Sequence, residues 1–522
     1  MAERDAVTAW LTRPSHRWWE RRWFIAAIVV ATMLPLLYPP LPPLVDLPGH
    51  VGRYRVELDL DRSLFLQRYY SFRWAPMGNL GVDLLVVPFA KLFGLELGVK
   101  LIVLAIPPLT AAGFLWVARE VHGRIPPTAF MALPFIYSLP FLFGFLNFAL
   151  SVALAFVSFA FWLNLGTSRR TVLRRWLFVP ISFALFFCHV YGLGLLGLMC
   201  FAADAVKLHE SGRSWWRASL EAALGVWMLA LPLVGMAFWP IASHGGIAFG
   251  WFDWDAKITG LYGVVRDRWG PLDVATLEVA AVVLLFALFS PKLGFSRKLA
   301  VIAILLATSF VLLPRYILDS AYADVRLLPY VFAVALLAIR IRQPADLRFE
   351  NCIGVLACAF FLGRLATNTA SLAMAADDQR AKLVALDMMP RGARVASFYA
   401  LPSAEPWALQ RNSHLGGLVI ARREGFSNDQ WLTTSHNLLG LEYHEAGTFS
   451  GNPSQLVRPT GDHSGFYRTI DEALTEVPRD KFDYIWLLNV PSLDRRLIAG
   501  LQPVWRDRDS ILYRIPSQAG RH

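Results

Sequence analysis

Charged residues are scarce in this sequence of 522 residues. Only 17% of them are Asp, Glu, Lys or Arg, whereas 56% are hydrophobic. Soluble domains carry about 25% charged and about 45–50% apolar residues. The composition therefore excludes a disordered chain and an ordinary cytosolic enzyme, and it predicts a polytopic membrane protein.

Cysteine is scarce as well. The chain has four cysteines, all in apolar stretches, and none follows residue 372. This usage excludes a disulfide framework and argues against a cysteine metal site. We expect Cys188, Cys200, Cys352 and Cys358 to be small buried hydrophobic residues. The chain also lacks a phosphate-binding glycine loop, an HExxH motif and a GxSxG motif, so no familiar motif assigns a reaction.

The net charge of +11 is confined to the apolar part of the chain. Residues 1–372 hold 33 basic and 22 acidic residues, whereas residues 373–522 hold 17 of each. Basic residues concentrate in the cytoplasmic loops of membrane proteins. We therefore expect a membrane domain over residues 1–372. We expect no binding of nucleic acid, because no basic stripe lies on a soluble face.

Apolar runs separated by basic clusters predict eleven transmembrane helices. Every basic cluster falls on the side of the N-terminus, which we expect to be cytoplasmic. The first run is followed by prolines rather than a cleavage site, which favours a membrane anchor over a signal peptide. An odd number of spans places residues 373–522 outside the cytoplasm, and we expect the periplasmic side of a bacterial inner membrane. The runs cover residues 23–38, 97–118, 126–166 and 176–206 (two helices each), 218–238, 272–289, 299–313, 327–339 and 351–372.

Residues 373–522 have the pattern of a small α/β domain. Alternating apolar residues predict strands over residues 393–399, 482–488 and 511–515, and residues 493–501 have a helical pattern. We expect this extracytoplasmic domain to have a structural or substrate-gating role.

The first outward segment, residues 44–96, holds the strongest catalytic candidate. Asp46 follows a proline-rich helix exit, and an amphipathic stretch over residues 54–70 is expected to lie in the membrane plane. A carboxylate beside the acyl boundary is a partly desolvated base that can take a proton from an acceptor hydroxyl. The alternative role for Asp46 is a helix N-cap, with Pro48 in the first turn.

Two further residues of this segment are candidates. His50 lies four residues after Asp46, so on a helix the two side chains share a face. They could act together in catalysis or bind a divalent cation. Arg53 is a candidate substrate contact in the same segment.

Three arginines on the outward side are candidates to bind a donor phosphate. Arg315 lies at a span exit, Arg326 at the next span entry and Arg364 in the last apolar run. A guanidinium group suits phosphate because it is planar and permanently charged. The alternative for Arg315 and Arg326 is that their side chains snorkel to the membrane interface. Arg326 could instead form an ion pair with Asp319 or Asp324. The alternative for Arg364 is a buried structural ion pair.

Aromatic residues in the second outward loop, residues 239–270, form the last candidate group. Aromatic rings flanked by carboxylates stack on sugars, but they also form interfacial belts. Two further candidates lie at a hairpin turn that faces the same compartment. Their role is either substrate binding or structural. The candidates are Trp251, Asp253, Trp254 and Lys257 in the loop, and His189 and Tyr191 at the turn.

This order of features resembles the GT-C superfamily of integral membrane glycosyltransferases, especially the bacterial mannosyl- and aminoarabinosyltransferases. The resemblance rests on Asp46 at the outer exit of the first span, the in-plane segment, the many later spans and the outward α/β domain. It implies transfer of a sugar from a polyprenyl-phosphate donor to a lipid, glycan or protein acceptor. It also implies that Asp46 is the catalytic Asp, with Arg326 or Arg315 at the donor phosphate. Many members have a second acidic residue where this chain has Leu47, so dependence on a divalent metal stays open.

Two other functions fit the same pattern of spans. A transporter or flippase of lipid-linked saccharides would show repeat symmetry and broken helices at mid-depth. We find no internal repeat, and the polar residues cluster at the outer surface. A non-catalytic membrane assembly protein would keep the architecture and tolerate replacement of Asp46.

Overall fold

The computed structural model describes a helical part followed by a mixed α/β part. Three of the cysteines are buried as expected, whereas Cys352 is exposed. The described residues are 17–168, 170–237, 248–317, 320–342, 346–404, 406–432, 437–463, 465–490 and 493–516. The expected partner Asp319 and part of the second outward loop lie outside these ranges.

Seventeen α-helices begin before residue 373 within the described ranges. They are α1 (Arg22–Ala31), α2 (Leu34–Leu37), α3 (Leu47–Asp59), α4 (Leu64–Tyr69), α5 (Gly81–Phe93), α6 (Leu95–His122), α7 (Leu139–Phe143), α8 (Leu146–Thr167), α9 (Thr171–Cys188), α10 (Val190–Glu210), α11 (Trp215–Gly225), α12 (Leu231–Ala237), α13 (Trp254–Tyr262), α14 (Gly270–Phe289), α15 (Arg297–Leu312), α16 (Leu328–Leu337) and α17 (Leu347–Leu383).

The expected class, a polytopic α-helical membrane protein, is confirmed. Of the described residues, six helical segments are long and apolar enough to span a membrane, and a pair bent by 57° adds a seventh. The six are α6, α8, α9, α10, α14 and Leu347–Met388, and the bent pair is Trp215–Gly225 with Trp227–Gly235.

The structure has fewer full-length spans than the eleven expected. Three of the apolar runs form shorter helices, Arg22–Ala31, Pro127–Phe143 and Val325–Leu337. Proline contributes to the interruptions, because it has no amide hydrogen and clashes with the preceding turn. Pro35 follows the break between α1 and α2, and Pro134 lies within a 3-10 segment. The count of eleven therefore stays a prediction.

The C-terminal part is built on a mixed sheet. The expected strands are confirmed as β4 (Arg394–Ala400), β8 (Tyr484–Leu488) and β10 (Ile511–Arg514). They are adjacent in the strand order β5-β4-β8-β10-β9, where β5 is Phe426–Ser427 and β9 is Gln502–Arg506. Strand β7 (Leu456–Val457) also pairs with β4. β4 and β8 are parallel, whereas β10 is antiparallel to β8. The strands of the described chain are β1 (Tyr70–Phe72), β2 (Leu293–Phe295), β3 (Ile339–Ile341), β4 (Arg394–Ala400), β5 (Phe426–Ser427), β6 (Leu439–Leu441), β7 (Leu456–Val457), β8 (Tyr484–Leu488), β9 (Gln502–Arg506) and β10 (Ile511–Arg514).

Helices in the C-terminal part are short. They are α18 (Gly417–Arg423) and α19 (Ile470–Glu476). The helix expected over residues 493–501 is wrong, because only a 3-10 turn, Arg495–Ile498, forms before Gly500 at a φ of 81°. Helix α17 runs through the expected domain boundary at residue 372. The division into residues 1–372 and 373–522 therefore stays a prediction.

The first outward segment docks on the C-terminal part. The expected in-plane stretch is split into α3 and α4, because Ser63 starts a new helix by accepting a hydrogen bond from the Leu66 amide at 3.2 Å. β1 then pairs antiparallel with β6. Helix α3 also crosses α18 so closely that a Cβ on Gly417 would lie 2.6 Å from the Cα of Gly49.

We expect the change Gly417→Ala to weaken this docking. The added methyl would meet backbone atoms, which cannot rotate away, so the change should destabilise the fold by about 1–3 kcal/mol. Gly363→Ala is the matched control, because Gly363 lies in helix α17 with no atom within 4 Å of its Cβ position. Thermal unfolding of both variants in detergent checks this. Equal midpoints for the two variants would show that the crossing tolerates a side chain.

Candidate functional site

Asp46 is held by the turn between α7 and α8. Its amide donates to the Phe143 carbonyl at 2.8 Å, and the neighbouring Val45 amide donates to Leu142 at 3.3 Å. Gly144 in this turn has a φ of 101°, and a Cβ there would lie 3.0 Å from the Asp46 nitrogen. Both its backbone conformation and the close approach therefore favour glycine at this position. The proline-rich exit from α2 and this turn together fix the backbone of Asp46.

The side chain of Asp46 is buried but does not cap its helix. Asp46 occupies the N-cap position of α3, yet its carboxylate accepts no capping hydrogen bond. Burial raises its pKa from 3.8 to about 6, against the nearby cations His414 and Arg326, which lower it. Such a carboxylate is largely ionised at neutral pH and is a stronger base than a solvated one.

Two residues of the C-terminal part complete the surroundings of Asp46, and the sequence did not point to them. His414 Nε2 lies 3.7 Å from Asp46 Oδ1, and His414 Nδ1 lies 2.6 Å from Asp429 Oδ1. Burial lowers the pKa of His414, but Asp429 and Asp46 outweigh this effect and the net shift is upward. No sequence pattern marked Asp429, because β5, the strand that it follows, was not among the predicted strands.

His50 lies beside this group on α3, as the spacing from Asp46 predicted. Its ring stacks on Trp431 with centroids 5.2 Å apart, and its Nδ1 is buried with no hydrogen-bond partner. Burial and the charges of Arg53 and His414 hold the pKa of His50 well below its usual range, despite a hydrogen bond to the Gly144 backbone. His50 is therefore neutral at physiological pH.

The residues around Asp46 do not fit the divalent cation considered from the sequence. No group of three or more His, Cys, Asp or Glu side chains within the described ranges is arranged to hold a metal ion. Asp46 and His50 supply only two of the ligands that such a site needs. His414, the next closest group, already uses Nδ1 on Asp429.

Arg326 is the one predicted arginine that acts electrostatically on Asp46. Its guanidinium is buried, with Nη2 donating to Ser320 Oγ at 2.8 Å and to the Ala321 carbonyl at 3.0 Å. It lies 4.2 Å above the ring of Phe145, the residue after Gly144. Within the described chain its Nε has no hydrogen-bond partner and no carboxylate forms an ion pair with it. The turn after α7 therefore contacts both Asp46 and Arg326.

The expected alternative partner of Arg326 is occupied elsewhere. Asp324 accepts from Lys257 Nζ at 2.9 Å and from the Val325 amide at 2.8 Å. Lys257 also donates to the carbonyls of Phe310 and Leu313, each at 2.9 Å. Lys257 is thus a buried structural cation, and the structure favours this role over sugar binding.

The other predicted arginines have different surroundings. Arg364 forms a buried ion pair with Asp273, which is the structural alternative considered from the sequence. Arg53 forms a buried ion pair with Asp83, so its charge is already compensated. Arg315 is half-buried with its guanidinium 4.9 Å from the ring of Tyr322. The described contacts bring none of these three to Asp46.

The remaining candidates divide between an exposed loop and the surroundings of Arg326. Trp251 and Trp254 are exposed, which is typical of an interfacial belt, and Asp253 caps α13 by accepting from the Ala256 amide at 3.1 Å. Tyr191 lies 5.8 Å from the Arg326 guanidinium and donates to the Ala323 carbonyl at 2.9 Å. His189 accepts from the Tyr191 amide at 3.2 Å and so fixes the start of α10.

The comparisons with known proteins give a likeness in structure. No protein-family model and no curated protein matches this sequence. The structure is similar to ArnT from Cupriavidus metallidurans bound to undecaprenyl phosphate, with a TM-score of 0.46, 14% identity and coverage of 95% of this chain and 98% of that chain. For ArnT in the apo state the TM-score is 0.49 at 15% identity, with 97% of this chain and 98% of that chain covered. The likeness extends over nearly the full length of both chains.

Replacing Asp46 by Asn should stabilise the folded protein near neutral pH. The folded pKa is raised from 3.8 to about 6, so the cost of ionising Asp46 is absent below about pH 4 and complete above about pH 6. A shift of this size corresponds to about 3 kcal/mol. The unfolding midpoint of Asp46→Asn should therefore exceed that of the wild type by more at about pH 7 than at about pH 4. A variant that is less stable at both pH values would instead support a structural role for Asp46.

Proposed function

We propose that this chain is a membrane glycosyltransferase that moves a sugar from a polyprenyl-phosphate carrier to an acceptor hydroxyl, with Asp46 as the general base. The observation that carries the proposal is the buried, non-capping carboxylate of Asp46, whose pKa burial raises to about 6. A buried ionisable carboxylate reduces stability, and this cost is typical of functional sites.

Asp46 performs the proton transfer in this reaction. Its carboxylate takes the proton of the acceptor hydroxyl, whose oxygen then forms a bond to the anomeric carbon of the sugar. The bond from that carbon to the carrier phosphate breaks, and polyprenyl phosphate leaves with the bonding electrons. A base with a pKa near neutrality is ionised at the working pH and still accepts the proton effectively.

Arg326 stabilises the charge that develops on the departing phosphate. Its guanidinium is buried and its charge acts on Asp46. No carboxylate of the described chain forms an ion pair with it. Burial of such a cation reduces the stability of the protein unless an anion pairs with it. Phosphate is a suitable anion, because a guanidinium group donates two parallel hydrogen bonds to it, and the low dielectric strengthens the attraction.

The carrier is expected to reach the site from the membrane. Val325–Leu337 is a short apolar helix that begins beside Arg326, so the guanidinium lies where a helix meets a loop. The head group of a lipid phosphate would lie at such a place with its chain among the helices. We propose that this face of the membrane is extracytoplasmic, as the basic clusters indicate. Undecaprenyl phosphate, which ArnT binds, is the natural probe for the site.

Asp46→Asn should abolish sugar transfer while leaving carrier binding intact. The amide keeps the shape of the side chain but cannot accept the proton, so turnover should fall by about a hundredfold or more. The measurement is transfer or hydrolysis of a panel of polyprenyl-phosphate sugars by purified protein, beside binding of undecaprenyl phosphate. Asp253→Asn is the matched control, because Asp253 only caps α13. Wild-type turnover in the Asp46→Asn variant would exclude the base role.

Arg326→Ala should weaken binding of undecaprenyl phosphate, and Arg326→Lys should weaken it less. Lysine retains the charge but loses the paired hydrogen bonds of the guanidinium. Loss of one charged contact is worth about 2 kcal/mol, which is roughly thirtyfold in affinity. Arg315→Ala is the control, since Arg315 is half-buried and lies against Tyr322. Equal affinities of the wild type and Arg326→Ala would remove Arg326 from the phosphate site.

A further inference from the structure

His414 lies between two carboxylates that come from different parts of the chain. Asp429 holds Nδ1 at 2.6 Å, and Asp46 lies 3.7 Å from Nε2. All three side chains are buried. The second distance is longer than a hydrogen bond, and contacts of this kind commonly shorten when substrate binds. The His414 ring is therefore hydrogen-bonded to Asp429, and Asp46 lies close enough to become a second hydrogen-bond partner.

The position of His414 is fixed by the docking of the C-terminal part. Asp429 accepts from the Gly417 amide at 3.1 Å through its other oxygen, which ties it to the start of α18. The His414 ring also packs on Trp431, with centroids 4.7 Å apart, and the same indole stacks on His50. Gln430 donates to the Gly49 carbonyl on α3 at 2.9 Å. The segment from Asp429 to Trp431 thus aligns the ring with α3.

The charges around His414 favour its protonated form. Asp429 and Asp46 face the ring from two sides, and both raise its pKa. Among the described groups, Arg326 acts on Asp46 from the 3-10 turn that precedes α16, and the neutral His50 lies one turn along α3. With both nitrogens protonated, the ring donates one hydrogen bond to Asp429 and directs the other N–H at Asp46.

We infer that His414 is a positioning residue supplied by the C-terminal part, which holds the Asp46 carboxylate ionised and oriented so that the site is complete only when that part is docked. The inference rests on the proposed role of Asp46 as the base. His414 does not take the acceptor proton in this scheme. It compensates the charge of Asp46 before transfer, and it retains its own proton on Nε2 when Asp46 becomes neutral. The C-terminal part thereby contributes directly to the reactivity of the membrane part.

Direct titration of Asp46 tests the inference without any sugar substrate. The full chain, labelled with ¹³C-carboxyl aspartate in lipid nanodiscs, is titrated by infrared spectroscopy, and the band absent from Asp46→Asn is assigned to Asp46. An opposite charge at this range lowers a carboxyl pKa by about 1 unit or more. The midpoint of Asp46 should therefore rise by about 1 pH unit in His414→Gln. It should stay near the wild-type value in His414→Lys, which keeps a cation, and in the control His444→Gln, whose side chain is exposed. An unchanged midpoint in folded His414→Gln overturns the inference.

A second measurement leaves His414 in place and so covers the case in which its variants fail to fold. Coupling between two sites is reciprocal, so removal of the Asp46 charge must lower the pKa of His414 by the same amount. In ¹⁵N-histidine NMR spectra, one histidine should titrate about 1 pH unit lower in Asp46→Asn than in the wild type. If no histidine responds, the inference is wrong.

The pH dependence of transfer separates this inference from the proposed function. In His414→Gln the acid limb of kcat/KM should move to higher pH, because the base is ionised over a narrower range. A purely structural role would lower activity equally at every pH and overturn the inference. If the two titrations are coupled but Asp46→Asn still transfers sugar, the proposed function fails although the coupling stands. If Asp46→Asn is inactive without any coupling, the function stands and the role of His414 is rejected.

Discussion

The burial of Asp46 between the membrane part and the C-terminal part is the constraint on which the site depends. Burial makes the ionised carboxylate costly, so its pKa rises to about 6. The same burial requires tight packing, which the crossing of α3 and α18 at Gly49 and Gly417 provides. A Cβ at Gly417 would meet the backbone of Gly49, and a Cβ at Gly49 would meet the ring of Trp431. The crossing of the two helices and the raised pKa of Asp46 therefore have one structural origin.

Two cations of different kinds balance the buried carboxylate. The hydrogen bond between His414 and the carboxylate of Asp429 holds the ring beside Asp46. Arg326 has only neutral hydrogen-bond partners and aromatic rings in the described chain, so its charge is available to an anion that enters. In the proposed function both cations stay in the protein: His414 remains beside Asp46, and Arg326 pairs with the carrier phosphate until polyprenyl phosphate leaves. Arg364 and Lys257 differ, because each already has a buried carboxylate partner.

The sequence predicted the features that depend on local pattern and missed those that depend on distant contacts. Alternating apolar residues were enough to place β4, β8 and β10, whereas the choice of Asp46 as the catalytic base stays a prediction. No sequence pattern near Arg364 or Lys257 indicates that an ion-pair partner lies far along the chain. His414 and Asp429 were missed for the same reason, since they reach Asp46 only through the docking of α18 on α3. The apolar pattern did not show where proline and 3-10 turns divide a run into shorter helices.

A structure of this protein with undecaprenyl phosphate would test the central claim most directly. The account predicts the phosphate within hydrogen-bonding distance of the Arg326 guanidinium and on the same side of the turn after α7 as Asp46. The isoprenoid chain should then extend among the membrane-spanning helices. A phosphate bound elsewhere, with Arg326 still held only by Ser320, Ala321 and the ring of Phe145, would contradict the proposed site.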